Sequence, residues 1–192
     1  MTATPQRLDP TTRGADGIDG PLCNDIEREL IEGGLARLEQ EPPIPLGFCE
    51  ALGMRLLALS DGATFLATPH RPELVGDPDT GVVHGGVVTT LLDTAAGLAA
   101  GFHEGRNLAG TVTLDLRIDY MRPAEPGRVI LAKARVFRRA RQITFVRGVA
   151  FDQSEQHPVA IATGAFMNGG KTAPDTKTTA GTQGAPKAGE RA

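Results

Sequence analysis

One charged side chain interrupts an otherwise apolar stretch of the chain. Residues 84–101 read HGGVVTTLLDTAAGLAAG, and Asp93 is the single charged residue between Gly85 and Ala100. Burying an unpaired carboxylate is costly, so its presence here indicates a task such as activating water. The Gly85-Gly86 pair lets a ligand approach the backbone closely, and a helix N-terminus presents N–H groups that can polarise a carbonyl. Together these residues could polarise a carbonyl and activate a water molecule to attack it, as the hydrolysis of an acyl compound requires.

The stretch itself is predicted to be a helix that begins near the Gly pair and ends near Gly101. A helix that is apolar all round is normally buried inside a protein or a membrane. This run is short, rich in Gly, Ala and Thr, and contains a carboxylate. These features favour a core helix over a membrane span.

Six segments around this helix have the pattern of β-strands, at residues 54–60, 64–68, 112–120, 128–138, 142–152 and 159–167. The first two flank Asp61-Gly62, a strong hairpin dipeptide. In the third, apolar residues from Val112 to Tyr120 alternate with polar ones at a period of two. A hydrophobic helix this short needs a sheet curved around it. We therefore predict an α+β fold in which a curved antiparallel β-sheet wraps around a central apolar helix.

The ends of the chain differ from its middle. Asn24 and Glu27 resemble a capping pair at the start of a predicted N-terminal helix that Pro42 ends. A short turn or helix is expected at 48–52, and a loop at 69–80. Residues 169–192 contain no Val, Ile, Leu or aromatic residue and are predicted to be a disordered tail. The predicted organisation is a flexible segment at 1–22, one domain at 23–168 and this tail.

The composition of the 192 residues argues against several classes of protein. With 20 Lys and Arg against 23 Asp and Glu, the formal charge of −3 does not suit a nucleic-acid binder or a polybasic membrane protein. Cys23 and Cys49 are expected to be reduced thiols. His70, His103 and His157 lack the spacing of a metal site, so no metal is expected. No basic region followed by an apolar stretch opens the chain, so we expect a cytoplasmic protein.

Four motifs together resemble those of hotdog-fold acyl-CoA thioesterases of the phenylacetate-pathway (PaaI-like) subfamily. They are TGVVHGGVVTTLLDTA at 80–95, TLDLRIDYMRP at 113–123, RRARQ at 138–142 and LGMR at 52–55. The resemblance covers residues 45–167, which is nearly the whole predicted domain. It implies the hotdog fold and the hydrolysis of an acyl-CoA thioester to free acid and coenzyme A, with no cofactor.

The resemblance also implies roles for individual residues. Asp93 is the expected general base or nucleophile, Thr113 helps to hold the water, and His84 is a hydrogen-bonding support near the thioester. The N–H of Gly85 is the expected donor to the thioester carbonyl. The family often carries an Asn where this chain has Pro78, so that auxiliary contact is not expected. The residues expected at the coenzyme A moiety are Gly86, Arg138, Arg139 and Arg141.

Other interpretations of the same residues remain open. Asp93 can be a structural carboxylate bonded to threonines of its own helix, and His84 can simply cap that helix. Thr113 can be an ordinary residue on the polar face of its strand, and the arginines can be a solvated hairpin. The alternative functions are a hotdog-fold hydratase or dehydratase, in which His84 pairs with Asp93, and a non-catalytic acyl-CoA-binding protein.

Helix geometry indicates that one active site needs two copies of the chain. Asp93 lies eight residues after Gly85, which is about 12 Å along a helix. Carbonyl polarisation and water activation must act on atoms roughly 3 Å apart. Two antiparallel copies across a two-fold axis bring Gly85 of one next to Asp93 of the other. We therefore expect a homodimer or a dimer of dimers, as in the family, with no nucleic-acid or membrane partner.

Overall fold

A computed structural model describes Leu38 and residues 40–60, 62–103 and 110–168. Most of the predicted N-terminal helix, the segment 1–22 and the tail 169–192 lie outside these residues. The helices are α1 (Gly47–Ala51) and α2 (Gly85–Phe102). The strands are β1 (Arg55–Ser60), β2 (Ala63–Thr68), β3 (Val75–Asp77), β4 (Val82–Val83), β5 (Thr111–Tyr120), β6 (Ile130–Ala140), β7 (Ile143–Phe151) and β8 (Ala160–Asn168).

Six strands form one sheet in the order β1-β2-β6-β7-β8-β5, in which every neighbouring pair is antiparallel. The sheet curves around α2, which contacts each of these six strands. β5 follows α2 in the chain but lies at one end of the sheet, beside β8. The predicted architecture, a curved antiparallel sheet around one central helix, is confirmed.

The core lies between α2 and the sheet because the inner face of the helix combines large and small apolar side chains. Leu91 and Leu92 are fully buried, as are Ala95 and Ala99. The alanines let the helix approach the strands closely while the leucines fill the space beside them. Successive side chains of a strand point to opposite faces of the sheet, and a second, smaller apolar cluster packs on the face away from α2. Its buried residues are Leu38, Phe65, Ala67, Leu131, Val149 and Phe151.

One face of α2 is open, which corrects the prediction of a helix buried all round. Its 18 residues have a mean hydropathy of 1.3, enough by length and composition to cross a membrane, but 56% of them are buried inside the fold. The open positions recur every three or four residues and therefore share one face. We call this face the open stripe; its residues are Gly85, Gly86, Thr89, Thr90, Asp93, Thr94 and Gly97.

The segment expected to be a loop at 69–80 has structure of its own. Pro72–Leu74 form one turn of 3-10 helix, and β3 then pairs antiparallel with β4 in a small separate sheet. This hairpin leads directly into α2 and thereby places the start of the helix. Two-residue and three-residue strands carry too little apolar pattern to be recognised in the sequence.

Candidate active site

His84 caps α2. Its backbone is extended (φ −60°, ψ 133°), and its Nδ1 accepts a hydrogen bond from the Gly86 N–H at 2.9 Å. Since Nδ1 is an acceptor, the proton of the neutral ring lies on Nε2, which is a donor. The cap occupies the N–H of Gly86, whereas the first amide of the helix, that of Gly85, has no carbonyl partner within the helix.

The β3–β4 hairpin holds His84 in place. The His84 N–H donates to the carbonyl of Leu74 at 2.8 Å. Gly76 of β3 lies so close that an added Cβ would stand 2.8 Å from the Cα of His84. Any side chain at Gly76 would therefore push the cap away from the helix, which explains the glycine at this position.

The turn around Pro78 is organised by Asp77. The Asp77 carboxylate accepts hydrogen bonds from the Thr80 hydroxyl at 2.7 Å and from the Asp79 N–H at 3.1 Å. These bonds, with that from Thr80 the stronger, lower the pKa of Asp77 below its usual value. The carboxylate faces its own turn and provides no amide donor in place of the family's Asn.

Asp93 lies half-buried in the middle of the open stripe, and its Oδ1 accepts a 2.8 Å hydrogen bond from the hydroxyl of Thr113 on β5. The fold thus brings together the two residues predicted as base and water-holding group. The neighbouring threonines have other partners. The hydroxyl of Thr90 donates to the carbonyl of Gly86 at 2.8 Å, and that of Thr89 lies 3.2 Å from the carbonyl of Gly85. The hydroxyl of Thr94 lies 3.7 Å from a cysteine sulfur.

A β-bulge in β5 turns Thr113 towards the helix. In the pairing with β8, Thr113 lies opposite Phe166 and Asp115 opposite Ala165, so the residue between them has no partner. Because a bulge adds one residue to a strand, it reverses which face the side chains before it occupy. Thr113 therefore faces α2, as Leu116 does, and is not on the polar face that strict alternation predicts.

Tyr120, at the other end of β5, is a further residue of the candidate site that the sequence pattern does not reveal. Its hydroxyl donates to the carbonyl of Gly85 at 2.6 Å and lies 2.8 Å from the hydroxyl of Thr89. β5 therefore contacts α2 at both parts of the candidate site: Thr113 bonds to Asp93, and Tyr120 bonds to the first turn of the helix. The alternating pattern of β5 predicts only that the Tyr120 side chain lies on the apolar face of the strand, and it gives no partner for the hydroxyl.

The three predicted arginines lie at the β6–β7 hairpin. Arg138 and Arg139 lie in β6 just before its last residue, and Arg141 occupies the turn with a left-handed backbone (φ 54°). Asn168 connects this turn to the far end of α2. Its N–H donates to the carbonyl of Gln142 and its side-chain amide to that of Ala100. The hairpin is therefore at the opposite end of α2 from Gly85, nearer to Asp93.

A groove of about 630 Å³ opens beside the start of α2. Its size is that of a small-molecule site. The polar part of its wall consists of Glu73, His84, Thr89 and Thr90, together with Gly86. The apolar part of the wall consists of Phe48, Leu52, Leu74, Val75 and Val87. The groove thus joins an apolar surface to the N-terminus of a helix.

A smaller cavity of about 350 Å³ lies next to Arg122, but this arginine is engaged in a structural ion pair. Its guanidinium forms two hydrogen bonds with the Asp152 carboxylate, whose side chain is fully buried. Burial raises the pKa of Asp152, but hydrogen bonds from Arg122 and the Glu125 N–H outweigh it, so the pKa is lowered overall. Among the described residues, no three His, Cys, Asp or Glu side chains are grouped to hold a metal ion.

Known proteins match this chain in sequence and in fold. The thioesterase superfamily model matches residues 80–159. The medium/long-chain acyl-CoA thioesterase YigI of Escherichia coli is 33% identical over 134 residues, which are 64% of this chain and 85% of YigI. A solved variant of the phenylacetic acid degradation protein PaaI of Thermus thermophilus is 29% identical, with a TM-score of 0.55 over 64% of this chain and 99% of that one.

The PaaI protein of Escherichia coli, at 23% identity, is alike in fold, with a TM-score of 0.57 over 67% of this chain and 88% of that one. One central helix wrapped in a curved antiparallel sheet is the architecture of the hotdog fold. This chain belongs to the thioesterase superfamily, as a PaaI-like hotdog-fold thioesterase. The expected family, fold and enzyme class are therefore confirmed.

Proposed function

We propose that this thioesterase hydrolyses acyl-CoA thioesters, with Asp93 activating the attacking water. The observation that carries the proposal is the hydrogen bond between Thr113 and Asp93 on the open stripe of α2. The bond fixes one carboxylate oxygen, so the other is oriented to accept a proton. A thioesterase relative whose named substrates are acyl-CoAs supports this substrate class.

In the proposed reaction, Asp93 accepts a proton from water as the water oxygen attacks the thioester carbonyl. The C–S bond of the tetrahedral intermediate then breaks, and the coenzyme A sulfur leaves and takes up a proton. Direct attack by the carboxylate, giving an anhydride that water hydrolyses, would use the same residue. The Gly85 N–H donates to the oxygen on which negative charge develops. Loss of such a donor costs on the order of 10²–10³ in rate.

The proposed site is shared between two protomers. Gly85 and Asp93 belong to one continuous helix, so they are about 12 Å apart along its axis. β5 is the end strand of the sheet and exposes apolar side chains, with Val112 52% and Leu114 50% exposed. Exposed edges with apolar residues favour pairing with another chain. We propose that β5 lies at a two-fold interface that brings Gly85 of one protomer to Asp93 of its partner.

The arginines of the β6–β7 hairpin are proposed to bind the phosphates of coenzyme A. Since the hairpin lies near the C-terminal end of α2, it would act in the same protomer as Asp93. Arg138 and Arg141 are exposed at its tip, and a guanidinium suits phosphate because its planar donors can contact two oxygens. In the shared site, one chain would thus supply the carboxylate and the phosphate contacts.

The groove beside α2 is proposed to hold the acyl group. Its apolar wall, which includes Phe48, lies next to the Gly85 end of the helix. A groove of about 630 Å³ is large enough for an extended aliphatic chain. It is larger than a two-carbon acyl group requires. Together with the medium/long-chain substrates named for the relative, this supports acyl groups of medium to long chain length.

The test compares hydrolysis of acetyl-, octanoyl-, palmitoyl- and phenylacetyl-CoA by the wild-type protein and by Asp93→Asn. We expect octanoyl- and palmitoyl-CoA to have the higher kcat/KM, and Asp93→Asn to lose at least about 10²-fold in kcat, the size of a general-base contribution. Asp119→Asn, a matched change of an exposed carboxylate paired with Arg117, should retain activity. Full activity of Asp93→Asn would exclude the proposed mechanism. Hydration of crotonyl-CoA would instead indicate the alternative hydratase function.

A further inference from the structure

The peptide unit between Gly85 and Gly86 is held at both ends by side chains. Its carbonyl oxygen, that of Gly85, accepts a 2.6 Å hydrogen bond from the Tyr120 hydroxyl. Its N–H, that of Gly86, donates to His84 Nδ1 at 2.9 Å. Since a peptide unit is planar, two bonds at opposite edges fix its orientation.

The position of this unit determines the direction of the preceding amide. The His84 carbonyl accepts from the N–H of Val87 at 2.9 Å, so the peptide unit before Gly85 is also held. The two units meet at the Cα of Gly85, where glycine imposes little conformational preference. The bond from Tyr120 therefore restrains the backbone angles at Gly85 that its missing side chain leaves free. With both units fixed, the Gly85 N–H has one direction.

Burial does not account for this bond, because Tyr120 is 50% exposed and water could satisfy its hydroxyl. A tyrosine hydroxyl has one proton, and here it is directed to the Gly85 carbonyl. The Thr89 hydroxyl, 2.8 Å away, then donates to the Tyr120 oxygen or to the same carbonyl, which it approaches at 3.2 Å. Two hydroxyls thus converge on one helix carbonyl beside the groove.

We propose that Tyr120 is a positioning residue for the reaction: its hydroxyl orients the first turn of α2 so that the Gly85 N–H is aimed at the thioester carbonyl. Tyr120 acts through Gly85 and does not itself touch the reacting atoms. The inference rests on the proposed function of Gly85. Because the oriented N–H interacts most strongly with charge that develops in the transition state, its loss lowers kcat and leaves KM nearly unchanged.

The experiment uses Tyr120→Phe, which removes only the hydroxyl, in the full-length protein with octanoyl-CoA as substrate. We expect kcat to fall about tenfold, since small misplacements of catalytic groups have large effects on rate. KM should stay within about twofold and thermal stability close to that of wild type. Thr163→Val, the loss of an exposed hydroxyl on the neighbouring strand β8, should leave both kinetic parameters unchanged.

A second measurement reports on the carbonyl directly. Octanoyl-CoA labelled with ¹³C at the thioester carbonyl is bound to Asp93→Asn, and the infrared carbonyl stretch is compared with that in the Asp93→Asn, Tyr120→Phe double variant. We expect a lowered frequency in the former and a smaller shift in the latter. Unchanged kcat and equal shifts would overturn the role of Tyr120 alone. Absence of wild-type hydrolysis, or of any carbonyl shift on binding, would overturn the proposed function and this inference with it.

Discussion

The hydroxyl of Thr113 and the carboxylate of Asp93 are joined by a 2.8 Å hydrogen bond between the end strand of the sheet and the open stripe of the central helix. The residues are 20 positions apart in the chain and lie on different elements. The bond engages one oxygen of the carboxylate, Oδ1. A hydrogen bond to a charged group contributes about 1.5–3 kcal/mol, enough to favour one carboxylate orientation strongly.

Replacing Thr113 by Val should therefore impair catalysis without preventing folding. The substitution keeps the β-branched shape and removes the donor to Asp93, so we expect kcat to fall about 10- to 100-fold, the equivalent of one strong hydrogen bond. Thr113→Ser retains the hydroxyl and should recover most of the activity. The check is steady-state hydrolysis of octanoyl-CoA by both variants. Equal losses in the Ser and Val variants would contradict a role for the hydroxyl.

Much of the fold follows from periodicity and turn chemistry in the sequence. The hairpin at Gly62, the central helix and the four strands after it are found where the pattern predicts them, with ends that differ by one or two residues. These elements are long and bury one face, so that their apolar pattern is strong. By contrast, β3 and β4 are short, and the role of Gly76 depends on a contact with His84 that local sequence does not encode.

The candidate site was predicted in part, and its errors have physical causes. Asp93 and Gly85 were identified because a carboxylate and a glycine pair are conspicuous in an apolar run. Thr113 is predicted at the site only by the family resemblance, because strict alternation puts it on the polar face and a one-residue bulge depends on pairing with a distant strand. Tyr120 was missed because its pattern describes only the apolar ring, whereas its hydroxyl meets Gly85 through the curvature of the sheet.

The hairpin arginines should affect substrate binding more than the chemical step. Replacing Arg138, Arg139 and Arg141 together by Gln removes three charges from the β6–β7 tip, and we expect KM to rise far more than kcat falls. The reason is that phosphate contacts far from the thioester are equal in the ground and transition states. Arg128→Gln, at an exposed turn where it pairs with Glu125, is the control. Kinetics at low salt make the measurement most sensitive, and an unchanged KM in the triple variant would contradict the assignment.

Because of the ion pair between Arg122 and Asp152, the stability of the fold should decrease at acid pH. The pKa of Asp152 is lowered in the folded state. The stabilisation of the fold by the ionised carboxylate is therefore fully present at a pH above the pKa of Asp in the unfolded chain, about 3.9. This contribution is lost as the pH falls through the folded pKa. Asp152→Asn leaves Arg122 without its buried partner and should cost about 3 kcal/mol at pH 7. In urea titrations, the difference in the free energy of unfolding between wild type and Asp152→Asn should become smaller below about pH 4. An equal difference at pH 7 and at pH 3 would contradict this account.

The shared site yields the sharpest prediction, because activity should reappear when two inactive variants are combined. Asp93→Asn lacks the base, and Gly85→Pro lacks the N–H that polarises the carbonyl. The proline is compatible with the fold, since it occupies the first position of α2, where proline is favoured. It also follows His84, whose backbone is already extended as a residue before proline requires.

We expect each variant alone to form dimers with little activity. Co-expressed with separate affinity tags and purified through both, the heterodimer should contain one intact site and one doubly defective site, and so recover up to about half of the wild-type kcat. That fraction is what the proposed two-fold symmetry predicts, since it would pair Gly85 of each protomer with Asp93 of its partner. The Asp93→Asn homodimer carried through the same two-tag procedure controls for contaminating activity. Verified heterodimers without recovered activity would falsify the shared site: either both groups act within one chain, or Asp93 is only structural.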